Sequence, residues 1–256
     1  MRRPATRNSK HATITCMPEL TTDTIFNGHV RVRQPRDGYR YSTDTVLLAC
    51  HLHPRPGDTV VDLGTGCGII PLILAYRHPE IKIIGVEVQP ELAEIAAANV
   101  ADNSMADRIN IICTDMKDFG RTGPGAAADV VVSNPPYRKT NAGRINPNRQ
   151  RAIAKHEIKA TLSDLMAAAR RILRSGGKFI SIYTADRMTE LIVLMRSLKI
   201  EPKVFRMIHA DLKAEAKMML IEGIKDGRPG SKIAPPLIVH RQDGSYTREV
   251  QEMFQP

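Results

Sequence analysis

Short apolar runs alternate with helix-like segments through the middle of this 256-residue chain. The β-prone runs lie at residues 59–63, 82–88, 108–113, 129–133 and 178–183. Strands that alternate with helices usually form parallel sheets, because each crossover helix returns the chain to the edge from which the next strand starts. Together with two further strands nearer the C-terminus, these runs predict an α/β protein with a doubly wound, mostly parallel seven-stranded sheet and helices on both faces.

Four helices are predicted along this region, at residues 69–77, 90–103, 158–174 and 186–198. Gly176 and Gly177 are expected to end the third helix, since glycine is favoured just beyond a helix terminus. Two last strands, near 203–208 and 217–224, have no clear helix between them. We expect them to pair as an antiparallel hairpin at the C-terminal end of the sheet.

The two ends of the chain differ from this core. Residues 1–45 are predicted to form a flexible basic arm, a β-hairpin turning at Asn27-Gly28, and a loop. Ser42 or Thr43 could cap a helix that starts at Asp44. Residues 46–225 are then the core, and residues 226–256 are a C-terminal extension in which 240–246 could form a hairpin.

The strand at 129–133 ends abruptly in Asn134, Pro135, Pro136 and Tyr137. The prolines cannot donate backbone hydrogen bonds and they fix φ, so a stiff ledge should form at the carboxyl end of the strand. Ligands bind at this end of the strands in open α/β sheets. The Asn134 side-chain oxygen and the Pro135 carbonyl could accept from the exocyclic amine of a planar base, on which Tyr137 could stack. A plain strand followed by a turn is the simpler alternative, but these four residues are the predicted catalytic site.

Residues 60–69 have the pattern of a strand, a glycine-rich turn and a helix start. Gly64, Gly66 and Gly68 are spaced G-x-G-x-G, whereas a dinucleotide fingerprint would need a third glycine at Ile69. No phosphate-binding lysine follows, which excludes a Walker loop. The acidic Asp62 disfavours a pyrophosphate and favours a cationic ligand.

Acidic residues also end the next two strands. Glu87 lies about twenty residues beyond the glycine turn, where a carboxylate can bind ribose hydroxyls. Asp115 follows the third strand and is suitably placed for an adenine amino group. Each acid alone could be a solvated strand end, but with Asp62 they favour a nucleoside that carries a positive charge and an amino acid. S-adenosylmethionine fits this description.

With these motifs, the chain resembles class I S-adenosylmethionine-dependent methyltransferases. More narrowly, it is similar to the valine tRNA adenine-37 N6-methyltransferase family, through the segments Gln34 to Asp44, Leu47 to Ala49 and Ala154 to Glu157. The resemblance covers residues 26–224, and residues past Asp226 depart from it. It implies an RNA adenine N6-methyltransferase, with an anticodon-loop adenine of a tRNA as the target and no metal.

The resemblance also implies roles for individual residues. The segment 39–45 would cover the methionine end of the cofactor, and Asn134 and Pro135 would bind the target amine. The implied cofactor-binding residues are Tyr39, Arg40, Thr43, Asp62, Gly64, Thr65, Gly66, Gly68, Glu87, Val88, Asp115, Met116 and Asn134.

The stretch from Pro135 to His156 contains no acidic residue. A solvated loop is one interpretation of such a stretch, but its position beside the base pocket favours contacts with phosphates. The predicted RNA-binding residues in it are Arg138, Lys139, Arg144, Arg149, Arg151 and Lys155.

Net charge, cysteine spacing and the length of the apolar runs also bear on the class of protein. The net charge of +10 is typical of proteins that meet a polyanion, although it could also serve solubility alone. The four cysteines are scattered without metal-ligand spacing, as expected for reduced thiols of a cytoplasmic protein. The longest apolar run, at 69–76, is too short to span a bilayer, and the first residues lack an apolar signal core.

Other functions remain open at this point. A glutamine methyltransferase acting on a translation release factor needs the same ledge, but that family carries a helical substrate domain before its glycine loop, and here 61 residues precede Asp62. Adenine methylation in rRNA or DNA is a second alternative, and DNA methylation is weakened because no insertion large enough for a sequence-reading domain is visible. An inactive RNA-binding partner that keeps the fold is a third. The sequence does not determine the oligomeric state.

Overall fold

The computed structural model describes residues 19–37, 40–121, 127–135 and 161–255. The strands are β1 (Leu20–Ile25), β2 (Val30–Pro35), β3 (Thr59–Leu63), β4 (Lys82–Glu87), β5 (Ile109–Cys113), β6 (Ala128–Ser133), β7 (Leu173–Thr184), β8 (Ile200–His209), β9 (Ala216–Lys225), β10 (Lys232–Ile233) and β11 (Leu237–Ile238). The helices are α1 (Thr43–His51), α2 (Ile69–Arg77), α3 (Pro90–Asp102), α4 (Leu162–Ile172), α5 (Met188–Ser197) and α6 (Arg248–Met253), with a 3₁₀ turn at Ala185–Arg187.

Nine of the described strands form one sheet in the order β10-β8-β9-β7-β6-β3-β4-β5, with β11 also paired to β8. Strands β3 to β7 run parallel, and β9 runs antiparallel to both β7 and β8. The predicted fold class and the predicted final hairpin are confirmed, and the C-terminal extension adds two short strands to the seven expected. The chain proceeds from β3 to one side and resumes at β6 on the other, so the topological switch point lies between β3 and β6.

The central strands are buried on both faces, as a continuous β-branched apolar run requires. Val60 and Val61 of β3 and Val131 and Val132 of β6 are fully buried. One apolar cluster joins α1, α2 and α3 to the hairpin, and the other lies under α4 and α5. The prediction of helices on both faces is therefore confirmed.

The expected end of the third helix is wrong. Helix α4 ends at Ile172, and β7 begins directly at Leu173, so Gly176 and Gly177 lie inside a strand. A Cβ on Gly177 would stand 2.9 Å from the Arg174 carbonyl oxygen and 3.1 Å from that of Ala128. The glycine therefore permits a close approach to β6 at a register shift, and it does not terminate the helix. Residues 158–160 of the predicted helix lie outside the described ranges.

The hairpin and the C-terminal extension both pack against the core. Strands β1 and β2 form a separate antiparallel sheet, and Phe26 at its turn stacks on Tyr76 of α2 at 5.0 Å between ring centroids. In the extension, α6 lies against α1, and the Met253 carbonyl accepts from the Cys50 thiol at 3.0 Å. The expected hairpin at 240–246 is present as an antiparallel bridge between His240 and Tyr246.

No helix within the described ranges has the length and apolar content needed to span a bilayer.

Candidate active site

The site lies where β3, β4 and β6 end, beside the switch point. Successive parts of the chain are tied together here by short hydrogen bonds. The backbone N–H groups of Gly64 and Thr65 donate to the Val86 carbonyl at 2.9 and 3.0 Å, so the glycine turn folds back over β4. The Ser133 hydroxyl at the end of β6 donates to the Leu63 carbonyl at the end of β3, at 2.7 Å. The two central strands therefore present their ends at a common level.

The turn after β3 depends on its glycines. Gly64, Gly66 and Gly68 all have positive φ values, of 79°, 59° and 85°, which side-chain-bearing residues rarely adopt. Gly68 is the residue before α2, and a Cβ on it would stand 3.3 Å from the Ala96 Cβ of α3. The turn can therefore be tight and packed against α3 while its backbone stays open to a ligand.

Asp62 is fully buried in β3, and neither carboxylate oxygen has a hydrogen-bond partner among the residues that the structure describes. Burial is the main cause that raises the pKa of this carboxyl to about 7; the nearby Thr65 hydroxyl lowers it, and the Glu87 carboxylate adds a smaller increase. An unpartnered buried carboxylate is costly, and that cost falls when a cation or a strong donor binds beside it. Asp62 thus fits the positively charged methionine end of S-adenosylmethionine.

Glu87 at the end of β4 is 5 % exposed and holds the glycine turn in place. Its Oε2 accepts from the Gly66 N–H and its Oε1 from the Gln89 N–H, both at 2.9 Å. Burial raises the pKa of Glu87, and these two hydrogen bonds offset part of the shift. Each carboxylate oxygen has a second lone pair, so the same group can also accept from ribose hydroxyls.

The acid after β5 is arranged differently. Asp115 Oδ1 accepts from the Lys117 N–H at 2.9 Å, and its Oδ2 stands 3.4 Å from the Lys117 ammonium. The Met116 carbonyl accepts from the Arg171 guanidinium at 2.8 Å, which ties this loop to α4. Val88 is half-buried just after β4. The predicted adenine side of the cofactor site is therefore built from a loop that side-chain contacts hold in place.

The ledge begins at Asn134, which is half-buried directly after β6. Its side-chain Nδ2 donates to the Thr45 hydroxyl oxygen of α1 at 2.7 Å. Pro135 follows and is also half-buried. The structure thus places the predicted amine-binding residues beside the glycine turn and opposite the start of α1.

The segment before α1 is attached to the hairpin. The Arg40 guanidinium donates to the Asp23 carboxylate at 3.0 Å, and the Tyr41 N–H donates to the Gln34 side-chain oxygen at 3.1 Å. Burial raises the pKa of Tyr41 to about 12, with the Asp23 carboxylate as the next contribution. Thr43 is exposed at the first position of α1. The Arg40 side chain therefore contacts the hairpin, which positions this segment beside the site.

Asn99 of α3 joins the hairpin to the glycine turn. Its Oδ1 accepts from the Arg33 N–H and its Nδ2 donates to the Arg33 carbonyl, both at 2.8 Å. The same Nδ2 donates to the Cys67 carbonyl of the glycine turn at 2.9 Å. One turn later, Asn103 makes a matching pair of bonds with the backbone of Arg31.

Sequence reasoning missed Thr45, Ser133 and Asn99 as individual residues of this site. Thr45 fell within the predicted covering segment, and Asn99 was visible only as a polar residue in an alanine-rich helix. Several predicted residues lie outside the described ranges: Tyr39, Pro136, Tyr137, Arg138, Lys139, Arg144, Arg149, Arg151 and Lys155.

A family model described as the methyltransferase small domain matches residues 40–199. The chain belongs to the methyltransferase small domain family. The resemblance to S-adenosylmethionine-dependent methyltransferases is thereby confirmed, and S-adenosylmethionine is the cofactor of this chain.

Several relatives match over nearly their whole length. A tRNA1(Val) (adenine(37)-N6)-methyltransferase of Porphyromonas gingivalis is 31% identical over 249 residues, which cover 93% of this chain and 95% of the relative. A relative of the same name from Aeromonas hydrophila is 25% identical, covering 88% of this chain and 92% of its own. The crystal structure of a predicted O-methyltransferase from Agrobacterium tumefaciens aligns with a TM-score of 0.67 at 23% identity, covering 82% of this chain and 95% of its own. This last likeness shows the fold alone.

Proposed function

We propose that this protein methylates the N6 amine of an adenine in RNA, specifically in the anticodon loop of a tRNA. The observation that carries the proposal is the position of Asn134 and Pro135 directly after β6, which pairs with β3 at the buried Asp62 beside the switch point. Relatives that are named tRNA adenine N6-methyltransferases match nearly the whole chain, and they support the same substrate.

The residues around the glycine turn would hold the cofactor. When bound, S-adenosylmethionine supplies an electrophilic methyl group. Asp62 would bind the charged methionine end, Glu87 the ribose hydroxyls and Asp115 the adenine amino group. The backbone of Gly64 to Gly68 would pass close to the ligand, with Tyr39, Arg40, Thr43, Val88 and Met116 as further contacts.

The ledge would activate the target amine. The lone pair of an exocyclic amine is delocalised into the base, which makes the nitrogen a poor nucleophile. Asn134 Oδ1 and the Pro135 carbonyl would each accept a hydrogen bond from one N–H group of this amine. These two bonds would favour a tetrahedral nitrogen with an available lone pair. Tyr137 would stack on the base, which must leave its own stack to reach the ledge.

Replacement of Asn134 tests this role. Asn134→Ala should lower turnover by about a hundredfold or more, by analogy with the loss of one oxyanion-hole donor, because the acceptor acts mainly in the transition state. Cofactor affinity, measured by calorimetry, should change much less. Turnover near that of the wild type would contradict the role.

A substrate panel tests the proposed RNA. The wild-type protein is incubated with labelled cofactor and, separately, with total tRNA, rRNA, DNA and a translation release factor, and the modified residue is identified after digestion. We expect N6-methyladenosine in tRNA. Label on a glutamine of the release factor, or only on rRNA or DNA, would contradict the proposed substrate, and absence of cofactor binding would favour an inactive RNA-binding partner.

The six basic residues from Arg138 to Lys155 are proposed to contact tRNA phosphates, and the cytoplasm is the proposed location because tRNA is found there.

The domain boundaries predicted at residues 45 and 225 stay a prediction. Val250 is fully buried and Met253 packs on the core around α1, which favours an extension that folds together with the core.

A further inference from the structure

The amide of Asn134 is held by a side chain from a distant part of the chain. Asn134 Nδ2 donates to the Thr45 hydroxyl oxygen at 2.7 Å, across 89 residues of sequence. Thr45 is 2 % exposed, and its own backbone N–H donates to the Ser42 carbonyl at 3.0 Å in the first turn of α1. Water therefore has little access to the threonine side of this bond.

This bond anchors the Asn134 amide at the ledge, with its Nδ2 toward Thr45. An asparagine side chain has donors at its nitrogen and an acceptor at its oxygen, in fixed positions on opposite sides of the Cγ atom. Because Nδ2 points to Thr45, Oδ1 points in the other direction. A half-turn of the amide would present N–H groups to the target amine, which is itself a donor.

The helix that carries Thr45 is packed into the core. Val46, Leu47 and Leu48, the residues after Thr45, are buried in the core. The C-terminal end of α1 contacts α6 through Cys50 and Met253. Thr45 therefore lies on a helix that is buried along its length and contacts α6 at its C-terminal end, and this helix can set the position of the Asn134 amide before substrate binds.

We propose that Thr45 is a positioning residue that anchors the Asn134 amide at the ledge, with the amide oxygen toward the amine to be methylated. The inference rests on the proposed function, because it assigns Thr45 a role in the same amine-binding ledge. It predicts an effect on turnover that is separate from cofactor and substrate binding.

Two pairs of proteins isolate the effect of the hydroxyl: the wild type with Thr45→Val, and Thr45→Ser with Thr45→Ala. Thr45→Val keeps the shape of the wild-type side chain and removes the hydroxyl. Thr45→Ser keeps the hydroxyl without the methyl group, and Thr45→Ala removes both. We expect kcat to fall about tenfold or more in the valine variant relative to the wild type, and in the alanine variant relative to the serine variant. KM for tRNA and the calorimetric cofactor affinity should stay within about twofold. If the valine variant does not fold, the serine and alanine pair makes the same comparison.

A second readout does not depend on activity. The side-chain amide signals of Asn134 in a ¹⁵N–¹H spectrum, assigned by their loss in Asn134→Ala, should shift or broaden in Thr45→Val and persist in Thr45→Ser. Equal kcat in the two members of each pair, or unchanged Asn134 amide signals in the valine variant, would overturn the role of Thr45.

Failure of the inference differs from failure of the proposed function. If the wild-type protein methylates a glutamine in place of an adenine, the substrate proposal is wrong, and the same four proteins are compared on the glutamine substrate. A wild-type protein that methylates none of the substrates overturns both proposals. A wild-type protein that methylates tRNA while its valine variant is equally active overturns the Thr45 proposal alone.

Discussion

The side chains of Asn99 and Asn103 make nearly the same set of hydrogen bonds but differ in burial. Each side chain makes three hydrogen bonds: Asn99 to Arg33, twice, and to Cys67, and Asn103 to Arg31, twice, and to the Asn99 carbonyl. Asn99 is 1 % exposed, whereas Asn103 is half-exposed at the end of α3. The pair therefore separates the effect of burial from the number of bonds.

Asn99→Ala should cost much more free energy of unfolding than Asn103→Ala. A net contribution of about 1 kcal/mol for each buried hydrogen bond gives a loss of about 3 kcal/mol for Asn99→Ala. Water can replace the Asn103 side chain at its partners, so Asn103→Ala should cost about 1 kcal/mol or less. Because Asn99 also contacts the glycine turn through the Cys67 carbonyl, only its variant should weaken cofactor binding.

Urea denaturation of the wild type and the two variants, with equal m-values, measures these losses. Calorimetry with S-adenosylmethionine at a temperature where all three proteins are folded measures the effect on binding. Equal losses of stability in the two variants would refute the argument from burial. Unchanged cofactor affinity in Asn99→Ala would refute the proposed link between the hairpin and the glycine turn.

Three other predictions concern the cofactor site and the basic residues after the ledge. Glu87→Ala should weaken cofactor binding at least tenfold in calorimetry, since charge-assisted hydrogen bonds contribute about 1.5–3 kcal/mol, and should leave tRNA binding nearly intact; unchanged affinity would make Glu87 a structural acid only. Because the pKa of Asp62 is raised in the folded protein, its protonation contributes stability that is fully present below the pKa of the unfolded chain and is lost as the pH rises through about 7. The cofactor-free Asp62→Asn variant should therefore have a higher free energy of unfolding than the wild type at pH 8, and this difference should narrow toward pH 4. A constant gap in urea denaturation across this range would contradict the shifted pKa. Changing Arg149 and Arg151 together to Ala should reduce the slope of log affinity for tRNA against log salt concentration by about one to one and a half. Identical slopes in the variant and the wild type would show that neither residue contacts the RNA.

The sequence was sufficient for features that depend on local pattern. The strands at 59–63 and 129–133 were predicted because a continuous β-branched run is recognisable without its neighbours. The end of α4 was not, because Gly176 and Gly177 have the same local pattern as a helix stop. The role of Gly177 became visible only with the Ala128 carbonyl beside it.

The candidate site shows the same division. Asp62 and Glu87 could be placed at strand ends from spacing alone, and both lie there. The contact between Thr45 and Asn134 could not be predicted, because it depends on how α1 packs against the sheet across 89 residues. Short-range pattern thus predicts which elements form and where they end, while side-chain partners between distant elements require the packed structure.

The contact between α6 and α1 has a consequence for the order in which the newly made protein matures. The Cys50 thiol and the Met253 carbonyl are 203 residues apart in sequence, and they meet at the helix that carries Thr45. During translation the N-terminal part of the chain is exposed first. Strands β3 to β5 can pair on the ribosome, whereas α1 lacks its final contact until residues 248–253 have left the exit tunnel. A nascent chain that has already formed the glycine turn therefore still lacks the contact between α1 and α6.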